Sequence, residues 1–138
     1  MYKLIAIDLD GTLLNTYGQI SQKNKEALLK ATQNGVEIVL ASGRPTNSVK
    51  NIANDLGKNK YIICGNGSLI YDLQKEQIIY DKFIEKRKAL QIIEICEKNS
   101  IYYNLYTENM VIAKNLDNNV LFYNHIFCIK IVIYTIFI

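Results

Sequence analysis

From the N-terminus to Cys64, the sequence alternates short apolar runs with segments that carry helix start and stop signals. The apolar runs cover residues 2–8, 36–41 and 61–64, and runs of this length are typical of strands buried on both faces. Because strand, helix, strand, helix, strand is the order of a parallel sheet with crossover helices, the sequence predicts an α/β fold.

Local signals indicate where the two helices begin and end. Ser21 is a residue type that caps a helix, and Asn34-Gly35 supplies a stop after the segment QKNKEALLKATQ. Pro45 is placed to start the second helix, because its fixed φ suits a first turn, and Gly57 ends that helix. The sequence therefore predicts two short helices between three buried strands.

The pattern changes after Gly67, since the 7 glycines and the 1 proline of the chain all lie at or before this residue. Residues 68–72 and 76–80 predict a β-hairpin. Residues 84–98 predict a helix with an apolar face formed by Ala89, Ile92, Ile93 and Cys96.

The domain organisation follows from this change. We place a boundary near residue 80, so that residues 1–80 form the first unit, which ends in the hairpin. Residues 81–119 begin a second unit of α+β type, in which residues 101–107 and 110–114 predict a further pair of strands. Residues 120–138 form an atypical apolar tail.

The tail of residues 120–138 is long enough to be weighed as a membrane span. Asn124, His125 and Lys130 interrupt it, and a charge near the centre of a span is costly. We rank a disrupted or truncated reading frame first, a buried strand of a larger domain second, and a membrane anchor third. The first interpretation predicts that residues beyond about 120 pack poorly or project from the core.

The composition is that of a globular protein, with 49% apolar and 21% charged residues. The net charge of +3 comes with scattered lysines, which gives no nucleic-acid footprint. The cysteines Cys64, Cys96 and Cys128 are odd in number and lack CxxC spacing, so neither a disulfide framework nor a zinc site is predicted. The N-terminal residues lack the plan of a signal peptide, and we expect a cytoplasmic location.

Two carboxylates stand at the end of the first apolar run, in the stretch LIAIDLDGT. Asp8 and Asp10 point to the same face of an extended chain, while Leu9 points back towards the packing. They lie at the carboxyl end of a strand, where open parallel sheets bind ligands, and Gly11 lets the backbone turn away. Two acids this close repel each other unless a cation lies between them, and a small oxygen site favours Mg²⁺.

Two alternatives exist for this motif. A calcium loop opens with similar residues, but it needs a glycine at the sixth position, where this chain has Leu13. A pair of acids on a solvated loop would suit a polar flank, whereas an apolar strand leads directly into Asp8. The spacing and the flank together favour the magnesium site.

The second predicted strand ends in a matching way, in the stretch ASGRP. Ser42 follows the strand, Gly43 permits close approach, and Pro45 opens a helix whose free N–H groups favour an anion. Taken alone, Ser42 is better explained as a helix cap. Beside the motif at Asp8, the hydroxyl and the amide donors favour binding of a phosphate opposite the metal.

Three stretches in order, DLDGT, ASGRP and CGNGSLIYD, resemble the motifs of the haloacid dehalogenase-like hydrolases, specifically the Cof-type phosphatases. The resemblance covers roughly residues 2–115. It implies an incomplete three-layer, Rossmann-like parallel-sheet core with the start of an α+β cap domain. It also implies Mg²⁺-dependent hydrolysis of a small phosphate monoester, such as a sugar phosphate or a nucleotide cofactor, through an aspartyl-phosphate.

The resemblance implies a role for each residue of these motifs. Asp8 is the nucleophile, and Asp10 protonates the leaving oxygen and then deprotonates water. Mg²⁺ binds the Asp8 carboxylate and the Asp10 backbone carbonyl. The remaining assignments are phosphate contacts by Gly11, Thr12, Ser42 and Gly43, and substrate-facing positions for Arg44 and Asn66.

The sequence departs from the family pattern towards its C-terminus. Members of the family carry, after the cap, a lysine that steadies the phosphate and a Gly-Asp-rich motif that completes the metal site. Lys114 and Lys130 do not sit where that lysine is expected, and no later acid-rich motif follows. We therefore expect a truncated phosphatase with weak or no turnover, or alternatively a non-catalytic phosphate-binding module. A sheet of three parallel strands would also expose an edge to self-association.

Overall fold

The computed structural model describes residues 2–57, 59–107, 110–113 and 130–133. The chain divides into two compact units, Met1–Asp81 and Lys82–Ile138. Within the described residues, the first unit holds a five-stranded sheet with two helices, and the second holds a helix and a three-stranded sheet.

The first unit is an α/β sheet with its helices between parallel strands. Its elements in chain order are β1 (Leu4–Asp8), α1 (Gln22–Gln33), β2 (Glu37–Ala41), α2 (Thr46–Leu56), β3 (Tyr61–Cys64), β4 (Leu69–Asp72) and β5 (Gln77–Asp81). The strand order is β1-β2-β3-β4-β5, with β1, β2 and β3 parallel and the hairpin β4–β5 antiparallel. The predicted α/β fold is confirmed, and the predicted hairpin is present.

Both helices begin and end at the predicted signals. The Ser21 hydroxyl accepts a hydrogen bond from the Asn24 N–H at 3.2 Å and so caps α1. The helix α2 begins directly after Pro45 and ends at Gly57, which has a φ of 70°. This left-handed conformation is free of steric cost for glycine, which is why the stop signal could be recognised from the sequence.

The hydrophobic core of the first unit joins α2 to the sheet. Leu40 of β2, Val49 of α2 and Ile62 of β3 are fully buried, at 0% exposure. Leu9, which separates the two acids after β1, is also at 0% exposure and belongs to the same cluster. The prediction that Leu9 points back into the packing is therefore correct, and its burial anchors the chain just where the acidic motif begins.

The strand β1 is less covered than the sequence predicts. A strand buried on both faces is expected, but β1 stands at the end of the strand order in the part of the chain that the structure describes. Leu4 and Ile5 are accordingly 54% and 39% exposed. The sequence also predicts a sheet of three strands, which is wrong, because the hairpin adds β4 and β5 beyond β3 and the sheet has five strands. An apolar run indicates a preference for burial but does not specify which neighbours supply it.

The second unit contains one described helix and three short strands. Its elements are α3 (Lys86–Lys98), β6 (Asn104–Tyr106), β7 (Met110–Ala113) and β8 (Lys130–Ile133). The strands β6 and β7 pair antiparallel, as the predicted strand pair requires. The helix α3 buries Ile93, but Ile92, which is predicted on the same face, is 48% exposed.

The tail contributes β8 to the second sheet. This strand runs parallel to β7, with Met110 opposite Lys130 and Ala113 opposite Ile133, and it takes the end position of the order β6-β7-β8. A buried strand of a larger domain is the second-ranked interpretation of the tail, and β8 agrees with it in secondary structure. The other tail residues lie outside the described residues, so poor packing of the tail stays a prediction. Among the helices of the described ranges, none has the length and apolar character needed to cross a membrane.

Candidate active site

The carboxyl ends of β1 and β2 bring the two polar motifs to one edge of the sheet. Asp8 pairs with Ala41 in the parallel register, and these are the last residues of their strands. Ser42 follows immediately, and its N–H donates to the Ile63 carbonyl of β3 at 2.9 Å. Asp8 and Ser42 thus leave the sheet side by side, which is the arrangement expected at the ligand-binding edge of a parallel sheet.

A tight turn over Leu9–Leu13 carries the second acid, Asp10. The Leu14 N–H closes the turn by donating to the Leu9 carbonyl at 2.9 Å. Gly11 has a φ of 77°, a conformation that residues with a Cβ rarely adopt. The glycine is therefore needed for the backbone to turn directly after Asp10, as the sequence predicts.

Asp8 and Asp10 have different partners, although one residue separates them. The Thr12 hydroxyl donates a hydrogen bond to Asp8 Oδ2 at 3.2 Å. Arg44 reaches Asp10 with two donors: Nε lies 2.8 Å from Oδ2, and Nη2 lies 2.5 Å from Oδ1. A two-point pair with a planar guanidinium fixes the orientation of the carboxylate as well as its position.

The pair with Arg44 also changes the acidity of Asp10. Hydrogen bonding from the guanidinium lowers the pKa of Asp10 below its ordinary value, partial burial opposes this shift, and the positive charge of Arg44 adds to it. The Asp10 side chain is 58% exposed and that of Arg44 only 10%. Because solvent screens such a pair, its main effect is on the position and charge of Asp10 and not on stability.

Ser42 is buried, at 7% exposure, and lies between the strand and α2. Its hydroxyl accepts a hydrogen bond from the Arg44 N–H at 3.2 Å. The residue that precedes the first turn of α2 is Pro45, which makes no side-chain cap. The simple interpretation of Ser42 as the helix cap is therefore wrong. A hydroxyl that accepts one hydrogen bond still has a proton to donate, which suits a phosphate oxygen.

The loops that follow β2 and β3 are joined by main-chain hydrogen bonds. The Asn66 N–H donates to the Ser42 carbonyl at 3.2 Å, and the Gly65 N–H donates to the Arg44 carbonyl at 3.1 Å. A Cβ built at Gly43 would lie 2.7 Å from Asn66 Oδ1. The sequence predicts that Gly43 permits close approach, and the structure identifies Asn66 of the neighbouring loop as the residue that approaches it.

Replacing Gly43 by Ala is expected to lower the free energy of unfolding by about 1 kcal/mol, the low end for an overpacked site, because the new methyl group overlaps the Asn66 amide and this side chain has to move aside. The same replacement in an Asn66→Gly background should cost much less. Glycine accepts the φ of 55° at position 66 and removes the overlapping side chain. Chemical denaturation of the original protein, the two single variants and the double variant gives the coupling energy between positions 43 and 66. If Gly43→Ala costs the same in both backgrounds, the overlap with Asn66 does not cause the loss of stability.

The oxygen donors at this edge are of the type that Mg²⁺ binds. The Asp8 carboxylate and the Asp10 backbone carbonyl are ligands of the type that Mg²⁺ takes, whereas the Asp10 carboxylate is engaged by Arg44. Within the described ranges, no group of three or more His, Cys, Asp or Glu side chains could hold a metal ion. The two oxygen donors are of a type that Mg²⁺ binds while it keeps several of its waters.

Sequence reasoning missed the contact between Arg44 and Asp10. It assigned Arg44 to a substrate-facing position, while the structure places the guanidinium on the Asp10 carboxylate. It also gave no role to Ser48, a buried residue whose hydroxyl accepts a hydrogen bond from Arg44 Nη1 at 3.3 Å. One signal was available: an acid and a base that follow adjacent parallel strands lie within reach of each other.

Comparisons with known proteins bear on the family and the fold of the chain. The sequence profile described as haloacid dehalogenase-like hydrolase matches residues 5–134. Phosphatase YwpJ of Bacillus subtilis is 38% identical over 109 residues, which are 79% of this chain and 38% of that protein. The phosphatase YwtE of the same organism, whose name gives 5-amino-6-(5-phospho-D-ribitylamino)uracil as its substrate, is 34% identical over 111 residues, or 80% of this chain and 38% of that protein.

A solved structure covers nearly the whole chain. A haloacid dehalogenase-like hydrolase from Bacteroides thetaiotaomicron superposes with a TM-score of 0.85 at 30% sequence identity, over 99% of this chain and 53% of that chain. The present chain therefore spans well under half the length of the two named relatives and about half the length of the solved structure.

Proposed function

Since this chain belongs to the haloacid dehalogenase-like hydrolase family, we propose that its site hydrolyses a small phosphate monoester through an aspartyl-phosphate, with Mg²⁺ as cofactor. One observation supports this most: Asp8, the turn with Asp10, and the buried Ser42 hydroxyl meet at one sheet edge beside the start of α2. A nucleophilic carboxylate, a second acid and anion donors are the parts that this chemistry requires.

Asp8 acts as the nucleophile in the proposed mechanism. A carboxylate oxygen of Asp8 attacks phosphorus, the new P–O bond forms, and the P–O bond to the leaving alcohol breaks. Asp10 gives a proton to the departing oxygen. In the second step water attacks the same phosphorus, Asp10 accepts the proton of that water, and phosphate leaves while the Asp8 carboxylate is restored.

Arg44 affects whether the Asp10 side chain is protonated before substrate binds. The lowered pKa of Asp10 favours the carboxylate, which is the form that accepts a proton from water in the second step. The first step needs the protonated form, and the negative charge of a bound phosphate raises the pKa of a neighbouring carboxyl. Substrate binding and Arg44 thus act on Asp10 in opposite directions, as a residue that is first an acid and then a base requires.

The phosphate is held by donors from two loops. Ser42 offers its hydroxyl, and the start of α2 offers N–H groups with a favourable dipole. Backbone amides of Gly11, Thr12 and Gly43 are the further donors. We also propose Asn66, whose side chain lies against Gly43, as a residue at the substrate side of the site.

Mg²⁺ would be held by the Asp8 carboxylate and the Asp10 backbone carbonyl, and it supplies positive charge that offsets the repulsion between a carboxylate and a phosphate. The substrate is a small phosphorylated metabolite, in keeping with the names of the phosphatases to which the chain is similar. We further propose a cytoplasmic location and self-association through the exposed edge at β1.

The 138-residue chain is expected to hydrolyse p-nitrophenyl phosphate in Mg²⁺ with a turnover below about 1 per second, the lower end for ordinary enzymes. The reason is that the proposed metal ligands among the described residues are only the Asp8 carboxylate and the Asp10 carbonyl, so that charge on the phosphoryl oxygens is only partly stabilised. Chelation with EDTA should stop the reaction and renewed Mg²⁺ should restore it. A rate that chelation leaves unchanged would speak against the proposed cofactor.

A phosphate-binding module without turnover is the second candidate. The engagement of the Asp10 carboxylate by Arg44 favours it, because a carboxylate held in an ion pair is a poor proton donor. Calorimetry with inorganic phosphate separates the two candidates when it is combined with the hydrolysis assay. Binding without hydrolysis in Mg²⁺ supports the module, and hydrolysis that depends on Asp8 supports the phosphatase.

A further inference from the structure

We propose that Ser48 is a positioning residue for Asp10 and that it acts through Arg44. This inference rests on the proposed role of Asp10 in proton transfer. Ser48 lies in the first turn of α2, outside the three motifs that identify the site, and is 4% exposed. Its hydroxyl accepts a hydrogen bond from Arg44 Nη1 at 3.3 Å, while Arg44 Nε and Nη2 donate to Asp10.

Arg44 is the fixed member of its pair with Asp10. Its N–H donates to the Ser42 hydroxyl at 3.2 Å, and its carbonyl accepts from the Gly65 N–H at 3.1 Å. The contact with Ser48 adds an anchor at the far end of the side chain, which is 10% exposed. Asp10, by contrast, is 58% exposed on a turn. Arg44 therefore orients the Asp10 carboxylate, and Asp10 does not orient Arg44.

The planarity of the guanidinium explains why Ser48 matters. The Nε–Nη2 edge of Arg44 faces the Asp10 carboxylate, and Nη1 lies on the other side of the group. Rotation of the plane would move that edge away from the carboxylate. A hydrogen-bond acceptor at Nη1 opposes this rotation. The Ser48 hydroxyl therefore keeps Nε and Nη2 of Arg44 aligned with the Asp10 carboxylate.

A structural explanation of Ser48 has to be distinguished from this one. The Ser48 N–H donates to the Pro45 carbonyl at 3.1 Å, and a small buried residue in the first turn of α2 could serve packing alone. Packing responds to volume, whereas the proposed role needs an oxygen at this position. Replacements by Ala and Cys remove the oxygen, the second at nearly unchanged volume, and replacement by Thr keeps it.

The test is hydrogen exchange of the arginine Nε–H measured by NMR. The sequence contains two arginines, Arg44 and the exposed Arg87, so an Arg87→Lys background leaves one signal to follow. In this background we expect the Arg44 Nε–H to exchange at least about tenfold more slowly than a free arginine, because it is hydrogen-bonded to Asp10. Ser48→Ala and Ser48→Cys should each lose most of this protection, and Ser48→Thr should keep it.

The matched control is Asn51→Ala, which removes a polar side chain from an exposed position of the same helix and should leave the exchange unchanged. Full protection in Ser48→Ala or Ser48→Cys, or equal loss in Ser48→Thr, would overturn the proposal. The exchange measurement needs no turnover. If protection follows the oxygen at position 48 while hydrolysis is absent, the positioning contact stands and the proposed function fails instead.

Discussion

Replacing Asp8 by Asn is expected to lower the hydrolysis of a phosphate monoester in Mg²⁺ by at least about a thousandfold, because an amide cannot form the aspartyl-phosphate. Asp8 is exposed at the end of β1, and its Oδ2 accepts a hydrogen bond from the Thr12 hydroxyl. The replacement keeps the size of the side chain, so the fold should change little. The measurement is kcat/KM for p-nitrophenyl phosphate in both proteins.

Asp81 provides the matched control for this prediction. It ends β5, is exposed, and has no role in the proposed mechanism, so Asp81→Asn makes the same chemical change at the end of another strand. Activity in this variant should stay within about twofold of the original protein, as expected for a surface change. An Asp8→Asn protein that kept a tenth of the activity would exclude Asp8 as the nucleophile.

Replacing Leu40 by Ala is expected to have the largest effect on stability, a loss of about 2–5 kcal/mol in the free energy of unfolding. Leu40 is at 0% exposure in β2, one residue before the end of the strand, inside the cluster that joins the sheet to α2. The removed methyl groups leave a cavity that the neighbouring strands can only partly fill. Urea denaturation measures this loss. A loss of this size is a large part of the free energy of unfolding of a small domain.

Leu29→Ala is the matched control for Leu40→Ala. Leu29 lies in α1 at 44% exposure, so the same side chain is removed from a position that keeps much of its contact with water. The expected loss is below about 1 kcal/mol. Similar losses at both positions would mean that the core does not lie where the structure places it.

Much of the fold could be predicted from local signals. The cap at Ser21, the proline before α2 and the stop at Gly57 act within a few residues of the chain, and the structure places both helix boundaries there. The acidic motif was equally readable, because a strand, a turn glycine and the alternation of side chains put Leu9 in the core between two acids.

The contacts that depend on neighbouring elements could not be predicted in the same way. The apolar run of β1 does not reveal that Leu4 remains exposed at the end of the sheet. The close approach of Asn66 to Gly43 and the pair between Arg44 and Asp10 join loops that are distant in the sequence. Such contacts depend on strand register and loop shape, which local propensities do not contain.

In the proposed mechanism, Asp8 carries the phosphoryl group between the two steps of the reaction. Mass spectrometry of the intact protein, quenched after incubation with a phosphate monoester and Mg²⁺, tests this most directly. With p-nitrophenyl phosphate, whose leaving group departs as a stable anion and needs no proton from Asp10, we expect Asp10→Asn to accumulate one added phosphoryl group per chain, since the nucleophile remains and the base that activates water is gone. Asp8→Asn should gain none. An added phosphoryl group in Asp8→Asn, or its absence from Asp10→Asn and from the original protein, would show that Asp8 is not the nucleophile.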